Sequence, residues 1–256
     1  MTRHTLLITG AGGGVGRALL EGLDASAYRV VLVGRAMGRL KKAQAQAPDG
    51  LETFAVEADV SRPEGAQAAV DEATALLGAA PDRLAHCVGT TLLAPLHRTT
   101  DTQYTDCIAA NLDSAFFTLR AWVQARLKAE TTAGAAVLFA SVVSQIGVGN
   151  HEAIAAAKGA IASLVPAAAA TYAPQGIRIN GIAPGLTRTG ATERLFGAKG
   201  AEEQITAQYP LGRYGRPEDP ARAAAWLLSD QASWITGHIL PVDGGFTAIR
   251  PMVRAR

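Results

Sequence analysis

Cysteine is nearly absent: Cys87 and Cys107 are the only two in 256 residues. They form neither a C-x-x-C pair nor a disulfide framework, which excludes a cross-linked secreted scaffold and leaves two reduced, mostly buried thiols, as in a cytoplasmic protein. Blocks of like charge are also missing. Lysine and arginine are dispersed and the net charge is only +2, so no stretch can track a phosphate backbone and nucleic acid is not an expected partner. The opening "MTRHTLLITG" has no apolar core before a cleavage site, and no apolar run is read as approaching the span of a bilayer, so no membrane association is expected. Linkers, repeats and low-complexity segments are lacking too. The expectation is one domain over residues 1–256.

What is present is a chain that is 48% hydrophobic, enough to bury a large core. Short β-branched or leucine-rich runs alternate with alanine-rich amphipathic ones. "TLLIT", "RVVLVG", "TFAVEADV", "RLAHCVG", "AAVLFAS", "IRINGIAPG" and "HILPVDGG" read as strands. Helices are expected at Val15–Leu23, along "AMGRLKKAQAQA", after Pro63, as a pair over Asp101–Lys128, around Lys158 and after Pro217, with an irregular stretch up to Gly215. Near-continuously apolar strands separated by helices predict an α/β fold with a parallel sheet covered on both faces. In full, the expectation is a doubly wound, three-layer α/β/α Rossmann architecture with about seven strands.

The turn "TGAGGGVG" directly follows the first strand. Gly10, Gly14 and Gly16 allow a sharp turn, a close approach of bare backbone N–H groups to a pyrophosphate, and tight packing of the next helix. The spacing is G-x-x-x-G-x-G. At the end of the second strand, where an acid would accept from an adenosine 2′-hydroxyl, the chain has Gly34 and Arg35, with Arg39 one helical turn on. A guanidinium pairs with a 2′-phosphate, so NADP(H) is favoured over NAD(H), with a solvated basic helix face as the plain alternative.

Together with "ADV" at 58–60, "HCVG" at 86–89, "NLDSAFF" from Asn111, "APGLTRT" and "GRPEDPARAAAWLLSDQASWITGHILPVDGG", this turn resembles that of the short-chain dehydrogenase/reductase family. The β-ketoacyl-carrier-protein-reductase-like members are the nearest in pattern, over nearly the whole length. The resemblance implies a cofactor site at Gly10, Gly14, Val15, Gly16 and Gly89, with Asp59 and Val60 at the adenine, Pro184, Gly185 and Thr189 on the carboxamide side, and Lys158 on the ribose. His86 and Cys87 depart from the family's usual Asn-Asn-Ala-Gly.

The resemblance also implies a catalytic Ser, Tyr and Lys, with an asparagine that holds a water. Ser141, Lys158 and Asn111 match. The tyrosine position, four residues before the lysine and thirteen after the serine, is Ile154. Isoleucine has no ionisable proton and cannot be a general acid or base. Three readings follow. The first is an oxidoreductase in which another group supplies the proton. His151, seven residues before Lys158 where the enoyl-reductase branch carries its tyrosine, is the candidate. A surface histidine at a helix start is the plain alternative for it. The second is a silent cofactor-binding subunit that partners an active relative; the third is a non-redox enzyme that reuses the pocket.

"TTLLAPL", Leu186, Leu195 and Phe196 suggest a small apolar carbonyl or enone substrate, and each reads equally well as core. The alanine-rich stretch from Ala153 to Ala173 permits close helix approach, and the resemblance implies a homo-oligomer, dimer or tetramer, with Pro166 expected to bend that helix.

Overall fold

A computed structural model describes residues 3–250. Residues 1, 2 and 251–256, counted in the expected single domain, lie outside the described residues. Seven parallel strands, β1 (His4–Thr9), β2 (Tyr28–Gly34), β3 (Glu52–Glu57), β4 (Arg83–His86), β5 (Gly134–Phe139), β6 (Ile177–Pro184) and β7 (Ile239–Val242), form one sheet in the order β3-β2-β1-β4-β5-β6-β7. This is the doubly wound arrangement expected from the alternation of strands and helices. The chain winds outward from β1 to one edge, returns to β4, and winds to the other edge.

Alternate residues of each strand face opposite layers, and the side-chain clusters follow that period. Leu7, Val31, Val33, Leu84 and Leu138 pack against α3 (Pro63–Leu77), α5 (Ser114–Lys128) and α6 (Glu152–Tyr172). Leu6, Ile8, Val30, Leu32 and Val137 pack against α1 (Gly14–Glu21), α2 (Met37–Gln44) and α8 (Glu218–Leu228). Between them in sequence lie α4 (Asp101–Ile108) and α7 (Ala201–Thr206).

Local sequence explains where the helices begin and end. Thr100 and Gln103 form a reciprocal capping box at the start of α4. Pro63 opens α3, and Gly78 closes it in the left-handed conformation at φ 77°. The expected helix pair over Asp101–Lys128 is one continuous path, α4 joined to α5 through a π-turn at Ala109–Asp113. Several strand expectations overran at their carboxyl ends, because the apolar run continues past the last sheet pair into the turns that line the crevice. The stretch before Gly215, expected to be irregular, contains α7 and a 3₁₀ turn at Glu193–Phe196.

One expectation about α6 needs revision. The segment Glu152–Gln175 is long and apolar enough to cross a bilayer, at mean hydropathy 1.6 over its most apolar window, because alanine scores as apolar without adding bulk. It is a core helix here, with Ile161, Val165, Ala168 and Ala169 packed in the main cluster. Pro166 leaves the helix continuous over 21 residues.

Trp122 is fully buried, and its indole donates to the Pro81 carbonyl at 2.7 Å. It joins α5 to the entry of β4, the strand whose far end borders the site. Trp122→Phe removes that donor and leaves a void. The expected loss is about 2 kcal/mol or more of unfolding free energy in urea titrations, with the fold retained by far-ultraviolet circular dichroism.

Candidate active site

The crevice opens at the carboxyl ends of β1 and β4, where the winding direction reverses. There Gly10 turns at φ 72°, and a Cβ on it would lie 2.7 Å from the Cys87 carbonyl carbon. A Cβ on Gly16 would meet the Gly10 oxygen at 2.6 Å, and one on Gly14 the Thr189 methyl at 2.8 Å. These three positions therefore exclude any side chain, and the first turn of α1 is drawn tightly onto β1. Gly13 caps α1 without a side chain, and no acidic residue lies in the first turn. The N-terminal N–H groups of α1 face the crevice at the positive end of the helix dipole, and Val15 stands among them, half-buried. This bare cradle suits a pyrophosphate, so the residues present fit a dinucleotide.

On the adenosine side, Arg35 and Arg39 are exposed, and Arg39 Cβ lies 2.9 Å from where a Cβ on Gly12 would stand. Asp59 accepts from the Ser61 amide at 3.1 Å and hydroxyl at 2.7 Å. Partial burial raises its pKa, but the Ser61 hydrogen bonds and the Arg35 charge outweigh that and hold the carboxyl below its usual range. Val60, expected at the adenine, points its side chain into the main core, so only its backbone is offered to a ligand. One residue went unnoticed in the sequence. Glu57, the last residue of β3, accepts a hydrogen bond from the Met37 amide at 2.6 Å. Its signal was positional: an acid ending the strand next to β2.

On the reaction side, the structure brings Lys158, Asn111 and Gly89 together. The Lys158 ammonium donates to the Phe139 carbonyl at 2.7 Å. A Cβ on Gly89 would lie 3.2 Å from Lys158 Nζ and 2.9 Å from Asn111 Oδ1. Asn111 sits within the π-turn, where its Nδ2 donates to the Cys107 carbonyl at 2.9 Å and its Oδ1 accepts from the Thr90 amide at 3.2 Å. Burial pulls the Lys158 pKa down to about 8. His86, at the family's asparagine position, is a structural link: its ring nitrogens pair with Thr9 Oγ1 at 2.8 Å and Ser114 Oγ at 3.1 Å. Burial, followed by the Lys158 charge, lowers its pKa to about 3, so it stays neutral. Both cysteines are free; Cys107 is buried, and burial raises its thiol pKa.

Ile154 is buried in a small apolar cluster with Cys107 and Ala153, against which Leu92 and Val143 pack. Ser141, at the end of β5, accepts from the Val143 amide at a long 3.4 Å, the local backbone contact of a strand-end serine. His151 caps α6 and is bonded through Nδ1 to the Gly149 carbonyl of its own loop at 2.7 Å. Among the described residues it makes no hydrogen bond to Ser141, Asn111 or Lys158.

The segment after β6 closes over this floor. Pro184 ends the strand and the Gly185 amide donates to the Val242 carbonyl at 3.0 Å. Thr189 is fixed through Thr192, whose hydroxyl accepts from the Thr189 amide at 2.9 Å. Thr91 and Arg194 tie this segment to the β4 loop, through Thr91 Oγ1 to the Ala191 carbonyl at 3.2 Å and Arg194 Nη2 to the Thr91 carbonyl at 3.3 Å. Phe196, which read as either a substrate contact or core, is buried beneath the Arg188 guanidinium, 4.8 Å from its ring, and beside Tyr214.

Residues 10–247 match the family described as enoyl-(acyl carrier protein) reductase. A 2,5-dichloro-2,5-cyclohexadiene-1,4-diol dehydrogenase of Sphingobium indicum is 32% identical, over 97% of this chain and 99% of that protein. A Xanthobacter autotrophicus protein named as an inactive 2-(S)-hydroxypropyl-CoM dehydrogenase is 35% identical, over 86% of this chain and 96% of its own length. Among solved structures, a protein assigned as a 2-deoxy-D-gluconate 3-dehydrogenase of Agrobacterium tumefaciens, with NADP bound, superposes with a TM-score of 0.85 at 31% identity, over 96% and 97% of the two chains. The chain belongs to the short-chain dehydrogenase/reductase family, a family of oxidoreductases that use nicotinamide cofactors.

The buried lysine leaves a mark on stability. Its folded pKa lies below the ordinary 10.5, so between about 8 and 10.5 the unfolded chain holds a proton that the folded chain has released, and stability rises with pH. Measured against Lys158→Met, the unfolding free energy of the wild type should gain about 3 kcal/mol across that window. A flat difference in urea titrations at several pH values would place the ammonium in water.

Proposed function

We propose that the protein is an NADP(H)-dependent oxidoreductase acting on a small apolar carbonyl or enone without the phenol that its family ordinarily uses. The observation that carries this reading is the convergence of Lys158, Gly89 and Asn111 within reach of one point beside the bare glycine cradle. The NADP-bound relative supports the cofactor class. When bound, the nicotinamide supplies or accepts a hydride. This chain's residues do the rest: the α1 amides hold the pyrophosphate, Lys158 the ribose, Thr189 the carboxamide, Asp59 the adenine, and Arg35 a 2′-phosphate. Asn111 keeps a water at the lysine, and Ser141 faces the substrate oxygen. His151 supplies or removes the proton, its Nε2 left available by the Nδ1 bond to Gly149. The protein works as a cytoplasmic homo-oligomer.

A second reading is supported by Ile154 itself. Its burial against Cys107, Ala153, Leu92 and Val143 suits a chain that binds cofactor without turnover and partners an active relative. A relative at 35% identity is named as inactive.

The test combines binding and turnover. By calorimetry NADPH should bind more tightly than NADH, and Arg35→Ala should erase most of that gap, at a cost of about 1.5–3 kcal/mol for a charge-assisted contact. The purified protein should then oxidise NADPH with at least one member of a ketone, quinone and enone panel. Equal affinities remove the NADP(H) assignment, and tight binding with no turnover on any substrate leaves the silent-subunit reading.

A further inference from the structure

The end of β2 carries Gly34 and Arg35 and no acid, yet a carboxylate stands beside it. β3 runs parallel to β2 with Glu57 in register with Gly34. From there the Glu57 side chain reaches the mouth of the β2–α2 turn and accepts the Met37 amide at 2.6 Å. Met37 is the first residue of α2; its cap, Ala36, has no side chain able to bond, and no acid lies in the first turn. Glu57 is therefore the side chain that holds this N-terminus, among the described residues. Arg35, two positions earlier, forms no hydrogen bond or ion pair among the described residues, and its charge reaches Asp59, two residues beyond Glu57. The free guanidinium and the Glu57 carboxylate flank the same turn with opposite sign.

We infer that Glu57 is a specificity-determining residue of the cofactor site, supplying from β3 the acid that β2 lacks and opposing Arg35 in the choice between a ribose 2′-hydroxyl and a 2′-phosphate. The carboxylate already occupies the Met37 amide, a donor that a phosphate drawn in by Arg35 would otherwise take. It can accept from a hydroxyl but repels a dianion. Cofactor preference is thus the difference between two opposed charges, and Glu57 restrains the preference for NADP(H). This inference rests on the reading that the glycine cradle and Arg35 hold a nicotinamide dinucleotide.

The test is calorimetric titration of the full chain and of Glu57→Gln with NADPH and NADH, together with 2′,5′-ADP and 5′-AMP, which isolate the adenosine end. Glutamine keeps the length of the side chain and an oxygen for the Met37 amide, but not the charge. Glu57→Ala is run beside it, with thermal unfolding to confirm both folds. The NADPH to NADH affinity ratio should rise at least about fivefold in both variants, as removal of a like charge near a phosphate requires. The 2′,5′-ADP to 5′-AMP ratio should rise with it. Ratios that stay level or fall overturn the inference while leaving the cofactor reading intact. Failure of the wild type to bind any of the four nucleotides overturns both.

Discussion

At the reversal point of the sheet, the backbones of the turn after β1 and the end of β4 lie so close that no side chain fits between them. Gly10, at φ 72°, rests against the Cys87 carbonyl and the Val88 amide, and Gly16 rests on the Gly10 carbonyl. The rest of the site hangs from this contact. It presses the N-terminus of α1 against the crevice with its amides bare. It also fixes the path of the β4 loop, so that Gly89 arrives over Lys158 and Asn111. The floor of the pocket is a consequence of the same approach: His86, one residue before Cys87, is locked to Thr9 and Ser114. His86 serves packing and hydrogen bonding there, and burial keeps its imidazole neutral.

The reacting half is asymmetric. Lysine, asparagine and serine stand on elements that fold as the family's do, while the position between them is filled by isoleucine. Within the apolar cluster of Ile154, Cys107, Ala153, Leu92 and Val143, the side chain at position 154 carries no ionisable proton and excludes water. Excluding water is itself useful around a hydride, and positioning contributes separately from proton transfer. Losing a general acid removes about a hundred- to ten-thousand-fold of rate. On the proposed reading the chemistry would be slowed and not forbidden.

Much of this was legible in the sequence, for identifiable reasons. Strand and helix order followed from runs of "VVLV" and "AAVLF" type between amphipathic stretches, and the glycine turn identified the crevice because its spacing only makes sense where backbones touch. The reading of Ile154 as the tyrosine position rests on the offsets that Ser141 and Lys158 keep around it. What escaped were properties that depend on neighbours distant in sequence. Phe196 reads equally as pocket or core until Arg188 and Tyr214 cover it. The side chain of Val60 turns into the core and leaves only backbone for a ligand contact. Glu57 reads as a solvated strand end until the register of β3 against β2 brings it to α2. Alanine content made α6 a core helix by small size, and by hydropathy alone the same segment passes for a membrane span.

We propose a nicotinamide-dependent reductase site that lacks the phenol its family ordinarily uses. The most direct measurement is steady-state NADPH oxidation with an activated ketone by the wild type and by Ile154→Tyr, after calorimetry has shown that both bind the cofactor. A phenol at position 154 would stand one helical turn from Lys158 on the same face of α6, and the nearby ammonium would lower its pKa towards the range a proton shuttle needs. The account predicts a gain of at least about tenfold in the variant. No gain, with cofactor binding intact, would contradict it and mean that the pocket has been rebuilt around isoleucine for a role other than reduction.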